Sequence, residues 1–132
     1  MILIDTNILM YAAGAEHPNK APALEILRRS ANGDVQANID AEVLQEIMHR
    51  YLLLNRWVDG KKVYELARKL FPEVLSITGD VMDRAKALAD SDPTVTARDA
   101  VHAAVVGTYK LEGIYTFDVD FDKIPGCRRI AI

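Results

Sequence analysis

The chain has 132 residues, a single cysteine and a formal net charge of −3, and half of its residues are hydrophobic. That length fits one domain, residues 1–132, with enough apolar material for a core that needs no staples. The lone Cys127 excludes an intrachain disulfide and fits a reducing, cytoplasmic setting. The charge argues against a simple nucleic-acid-coating protein, which would carry a basic surface. It does not argue against an enzyme whose carboxylates hold cations. The apolar start is too short for a signal peptide, and no apolar stretch nears the roughly 20 residues a bilayer demands, so no membrane association is expected.

Met1-Ile2-Leu3-Ile4 is four apolar residues without helical spacing, which predicts a short buried strand running straight into Asp5-Thr6-Asn7. Thr6 can cap the turn that follows. Asn19 can cap a helix starting near Lys20, with Pro22 tolerated in its first turn, Leu24, Leu27 and Ala31 as its apolar stripe and Asn32-Gly33-Asp34 as its stop. Val35 to Ile39 is a candidate second strand. Asp40 can cap the next helix, with Val43, Leu44, Ile47 and Tyr51 inward and Glu42, Glu46 and Arg50 along one flank. Leu52-Leu53-Leu54 extends it, and Asp59-Gly60 restarts the chain. Val63, Leu66, Ala67 and Leu70 mark another helix, stopped before Pro72. Val74 to Ile77 is a third candidate strand. Helices follow over about 80–91, with Val81, Ala85 and Leu88 inward, and about 97–111, then strands at Ile114 to Phe117 and Arg129 to Ile132. Strands alternating with helices imply a parallel sheet with right-handed crossovers.

The chemistry lies in the acids at element boundaries. Asp5 ends a strand, where open α/β sheets place ligands, and it can equally close a plain Asx turn. Asp118 repeats that layout after Ile114-Tyr115-Thr116-Phe117, and Asp120 and Asp122 continue an acidic run that lacks the glycine and final Glu of a calcium-binding loop. Glu46 can pair with Arg50 at i,i+4 as surface decoration. Thr96 to Asp99 fits a capping box. His102, one turn beyond Asp99, reads either as a helix histidine packed beside Ala103 and Val106 or as a support for the acids. Asn7 can orient a neighbouring carboxylate through its amide. Four carboxylates in one cleft repel unless cations neutralise them, and hard oxygen donors favour Mg²⁺ or Mn²⁺ over zinc. There is no Cys/His cluster, Walker loop, Gly-x-Gly-x-x-Gly or Gly-x-Ser-x-Gly. An acidic cation site of this kind suits phosphodiester hydrolysis.

These residues resemble a known family. Ile2-Leu3-Ile4-Asp5-Thr6-Asn7-Ile8-Leu9 resembles the opening of PIN-domain ribonucleases, and Val43-Leu44-Gln45-Glu46 resembles the family's second acidic motif. Arg98-Asp99-Ala100-Val101-His102-Ala103-Ala104 is similar to the third and Thr116-Phe117-Asp118-Val119-Asp120-Phe121 to the fourth, in order and spacing along essentially the whole chain. The compact size is similar to VapC toxins of toxin–antitoxin pairs. The resemblance implies a Rossmann-like three-layer α/β/α sandwich with a central parallel sheet, and a Mg²⁺- or Mn²⁺-dependent endoribonuclease. It implies Asp5, Glu46, Asp99 and Asp118 as the acidic metal and catalytic quartet. Glu46 would orient water, Asn7 would support Asp5, and Asp120 would share the role of Asp118. It further implies a homodimer and a VapB-like antitoxin seated in the active-site groove.

Around that core, Thr6, Arg98 and His102 are candidate supporting residues. Arg98 is the best-placed cation for RNA phosphate, ahead of Arg28, Arg29, Lys61, Lys62, Arg68 and Lys69. Leu52-Leu53-Leu54, Trp57 and Tyr64 can serve either an interface or a helical-hairpin core. Three alternatives stay open: a PIN nuclease that processes RNA without an antitoxin, a non-catalytic RNA- or protein-binding module, and a phosphatase with Asp5 as nucleophile. The last is weakened because Asn7 stands where a second acid would be needed.

Overall fold

Three short parallel strands run through the centre of the computed structural model, which describes residues 1–132. They are β1 (Ile2–Ile4), β2 (Ala37–Asn38) and β3 (Ile114–Tyr115), in the order β2-β1-β3. Ile2 lies opposite Ala37 and Leu3 opposite Ile114. Six helices flank them: α1 (Thr6–Ala13), α2 (Lys20–Ala31), α3 (Ala41–Leu53), α4 (Trp57–Leu70), α5 (Gly79–Ser91) and α6 (Ala97–Thr108). A 3-10 turn spans Val119–Lys123.

The central strand divides the core. Successive side chains of a strand point to opposite faces, so Ile2 and Ile4 pack with Ile8, Ile26, Val43, Ile47 and Val63 of α1 to α4. Leu3 packs instead with Val81, Ala85, Val101, Val105 and Phe121 beside α5 and α6. The result is the α/β/α layering expected, with β1 buried on both faces as central parallel strands are. No helix is long and apolar enough to cross a membrane.

Side-chain caps start four of the helices. Asp5 accepts from the Thr6 amide, Asp40 from Val43, Thr78 from Val81 and Thr96 from Asp99. Thr96 therefore caps α6 with the forward bond of the expected capping box. The turn after Asp5 is a full helix, and Asp5 rather than Thr6 caps it. Asn19 makes no side-chain cap, because its own backbone is already helical. The buried stripe of α2 is Ala23, Ile26 and Leu27, while Leu24 and Ala31 face solvent.

Other expected boundaries move for local reasons. Asp59-Gly60 does not restart the chain: α4 begins at Trp57, and the break lies at Asn55, which takes a positive φ of 55°. Gly60 sits inside the first turn of α4 because α3 crosses there; a Cβ on it would collide with Tyr51 Cβ. Leu66, expected inward, is largely exposed, and Gly60, Val63 and Ala67 make the contact stripe.

Val35 to Ile39 pairs only at Ala37–Asn38, since α3 starts directly after Asp40. Val74 to Ile77 is no strand: Leu75 bridges Asp40 alone, with the Leu75 amide donating to Ile39 and its carbonyl accepting from Ala41 before the chain turns into α3. Arg129 to Ile132 likewise makes a single bridge, at Ile114. β3 stops at Tyr115, because Thr116 and Phe117 leave the ladder to bond the side chain of Asn7. The last helix ends at Thr108, short of position 111.

Candidate functional site

The carboxyl ends of β1 and β3 are stitched together by side chains. Asp5 is buried, and Oδ1 accepts from the Thr6 amide at 2.7 Å. Its Oδ2 accepts from the Thr116 hydroxyl at 2.7 Å and from Asn7 Nδ2 at 3.2 Å. Thr116 Oγ1 in turn accepts from Asn7 Nδ2 and from the Asp118 amide, both at 3.0 Å. One hydroxyl thus ties the two strand-end acids into one unit, and Asn7 braces both. Asp118 caps the 3-10 turn by accepting from the Asp120 amide at 2.9 Å.

Two helices bring the other acids. Helix α3 carries Glu46 and is capped by Asp40; α6 carries Asp99 and, one turn on, His102. His102 is fully buried. Its Nδ1–H donates to Asp40 Oδ2 at 2.7 Å and its Nε2–H to Glu46 Oε1 at 2.9 Å, with Asp5 Oδ1 3.6 Å from Nε2. Burial works against a charge on this ring, but Asp40, Glu46 and Asp5 outweigh it and hold the imidazolium well above the usual histidine range. Glu46 reciprocates: burial pushes its carboxyl up, yet His102 brings it below the usual range.

The remaining acids repel one another. Burial, followed by the charges of Asp118 and Asp5, pushes Asp99 up to about 6. Asp5 is raised chiefly by burial, with Glu46 adding to it and His102 and Thr116 opposing. Glu42 is raised by burial and then by Glu46. Asp5, Glu46, Asp99 and Asp118 therefore share one electrostatic neighbourhood.

Ligand atoms of Asp5, Glu46 and His102 lie within 4.8 Å of one another. Thr6, beside Glu46, carries a buried hydroxyl with no hydrogen-bond partner. An orphan hydroxyl next to mutually repelling carboxylates fits a hydrated divalent cation, which would satisfy the one and neutralise the other.

Some expectations need correction. Glu46 does not pair with Arg50; it turns inward to His102. His102 is not merely a histidine packed in a helix, because both its nitrogens are bound to acids. Asp120 is exposed and faces Lys123 at 3.6 Å rather than the cluster. Arg98 is exposed, and its charge reaches Glu46 and Glu42. Leu52, Leu53 and Leu54 lie on the surface rather than in a hairpin core, whereas Trp57 and Tyr64 are half-buried against that core.

Two residues escaped the sequence reading. Asp40 was expected only as a cap and also holds His102; Thr116 was expected only as strand. The available signal was His102 itself, since a histidine in the apolar run from Ala100 to Val106 must find buried partners. Beyond Asn7, a groove of about 610 Å³ opens between α1, α3 and α4, apolar at Met10 and Tyr11 and basic at Arg50, Arg56 and Lys62.

Residues 2–126 match the family model of the PIN domain. Ribonuclease VapC13 of Mycobacterium tuberculosis is 37% identical over 131 residues, covering 99% of this chain and all of the relative. Among solved structures, VapBC2 of Rickettsia felis, bound to a DNA fragment from its promoter, superposes with a TM-score of 0.74 at 16% identity, covering 98% of each chain. A toxin–antitoxin complex of Klebsiella pneumoniae superposes with a TM-score of 0.69 at 21% identity, covering 98% of this chain and all of the other. Those two likenesses carry the fold; the match to the family model and the full-length identity carry the family. The chain belongs to the PIN-domain family, among its VapC ribonucleases.

Proposed function

We propose that this chain is a metal-dependent endoribonuclease acting as the toxin of a toxin–antitoxin pair. What supports the reading is that Asp5, Glu46, Asp99 and Asp118, from four separate segments, lie close enough to feel one another's charge, in a chain whose full-length relative is a VapC ribonuclease. That relative does not favour an RNA-processing enzyme or a non-catalytic module. Asp5 has both oxygens engaged by three donors and is buried, which suits a fixed ligand better than the nucleophile of a phosphatase.

Asp5, Asp99, Asp118 and, on the α3 side, Glu46 would hold Mg²⁺ or Mn²⁺. Such a cation supplies charge stabilisation to the phosphodiester and lowers the pKa of water. The chain's own residues do the rest. Thr116 and Asn7 keep Asp5 from rotating, so its geometry is set before substrate arrives. Glu46, held by His102, orients the attacking water. Arg98, exposed at the start of α6, binds a phosphate of the RNA. The hydrolysis adds water across one P–O bond and releases the leaving oxygen with a proton.

The basic and apolar groove beyond Asn7 suits both an RNA strand and the segment of an antitoxin that competes with it. The exposed Leu52, Leu53, Leu54 and Val58 suit a homodimer contact. A cytoplasmic setting and a one-domain organisation over residues 1–132 belong to the same reading.

The test uses purified protein freed of any partner, total RNA, Mn²⁺ or Mg²⁺ against EDTA, and Asp5→Ala alongside. Metal-dependent cutting that the variant lacks is the expected result. Equal cutting by Asp5→Ala, or none by folded, metal-loaded protein on any structured RNA, would overturn the proposal.

A further inference from the structure

Glu46 faces the cleft from α3, but nothing on α3 holds its side chain there. Its i,i+4 neighbour Arg50 makes no ion pair with it, and the Thr6 hydroxyl beside it makes no well-formed hydrogen bond. The well-formed hydrogen bond on Glu46 comes from His102, across the interface between α3 and α6. His102 cannot meet RNA, because it is fully buried. Its ring is clamped from behind by Asp40, whose other oxygen accepts from the Val43 amide at 3.0 Å and caps α3. Asp40 therefore has two jobs on its two oxygens. One starts the helix that carries Glu46; the other sets the ring that aims Glu46.

We propose that Asp40 and His102 are positioning residues of the nuclease site, forming a buried Asp40–His102–Glu46 chain that fixes the Glu46 carboxylate relative to Asp5. The inference rests on the nuclease reading for its catalytic consequence and on geometry alone for its structural one. A histidine oriented by a carboxylate on its far nitrogen is a common way to hold a metal site in shape, and losing such a partner lowers metal affinity or activity by about 10–100-fold.

Asp40→Ser separates the two jobs. Serine keeps a cap for Val43, being as good an N-cap as aspartate, and removes the acceptor for His102 Nδ1. The variant should fold, lose the far-downfield ring N–H proton signal that His102 gives in the wild type, and bind Mn²⁺ about tenfold or more weakly by titration calorimetry. Its kcat on RNA should fall by a similar factor with KM unchanged, since no substrate contact is touched. Asp40→Asn offers Nδ1 a donor in place of an acceptor while keeping the cap, and should show the same losses; it carries the test if the serine variant does not fold. Wild-type Mn²⁺ affinity and kcat in a folded variant that has lost the ring signal would overturn the proposal. The Mn²⁺ titration needs no RNA, so a weakened Kd in a protein that cuts nothing would sink the nuclease reading and leave the positioning chain standing.

Discussion

At the scale of single residues, the site is a set of charges in unequal surroundings. Asp5 is wrapped by donors and Glu46 is paired with an imidazolium, whereas at Asp99 burial and two neighbouring acids outweigh Thr96 and the more distant His102. Its carboxyl is therefore the one pushed up to about 6 from an ordinary 3.8. A group whose folded pKa is raised stabilises the protein below its unfolded pKa, and that contribution is lost as pH climbs through the folded value. In EDTA, wild-type stability against urea should therefore fall between about pH 4 and pH 6 relative to Asp99→Asn, which carries no titrating group there. The same variant should lose metal-dependent cleavage while keeping its circular dichroism spectrum; unchanged cleavage would remove Asp99 from the quartet. Cys127 shows the same effect of burial on a thiol. Its thiol is pushed up to about 12, chiefly by desolvation, so almost no thiolate exists at neutral pH. Iodoacetamide should label it only after denaturation, as read by mass spectrometry, and labelling of the native protein at the rate of a free thiol would contradict its placement.

At the scale of elements, α3 and α4 cross closely. Gly60 lets Tyr51 lie directly on the α4 backbone. In an open helix, replacing glycine by alanine gains about 1 kcal/mol. Here the new methyl meets Tyr51 Cβ and Cγ, neither of which is a free side-chain end, and overpacking of that kind costs about 1–3 kcal/mol. Gly60→Ala should therefore lower the thermal midpoint by several degrees rather than raise it. A rise would mean that α3 and α4 can move apart at little cost. The joint bears on function because α3 carries Glu46 and is capped by Asp40, so loosening it disturbs the helix that positions both.

At the scale of the whole molecule, one surface carries more apolar area than a free monomer needs. Leu53 and Val58 are each 73% exposed, beside Leu52 and Leu54 at 50% each. They cluster at the turn between α3 and α4, on the side of the groove that Leu54, Arg56 and Asp59 line. Contiguous exposed leucines of this kind mark contact surfaces. Leu53→Glu should leave the fold and thermal midpoint near wild type, because the side chain packs on nothing buried, and should convert a dimer to a monomer in light scattering. A wild-type protein that is monomeric at high concentration would count against a dimer built on this ridge.

The central strand and the acid that follows it were legible in the residues alone, because a buried parallel strand is a short apolar run and an acid directly after it has few places to go. Caps at Asp40 and Thr96 belong to the same local physics, in which a side-chain oxygen meets an amide three residues on. The strands expected at Val74 to Ile77 and Arg129 to Ile132 failed for the converse reason. Apolar composition permits pairing, but the length of a ladder depends on how soon its neighbours turn into helices. Neither the exposure of the three leucines nor the tightness at Gly60 could be read locally, since each depends on which face one helix turns to another. The same holds for the Asp40–His102–Glu46 chain. Asp40 and His102 lie 62 positions apart, and only the packing of α6 against α3 brings a buried ring between two acids, one of which looked like surface and the other like a cap.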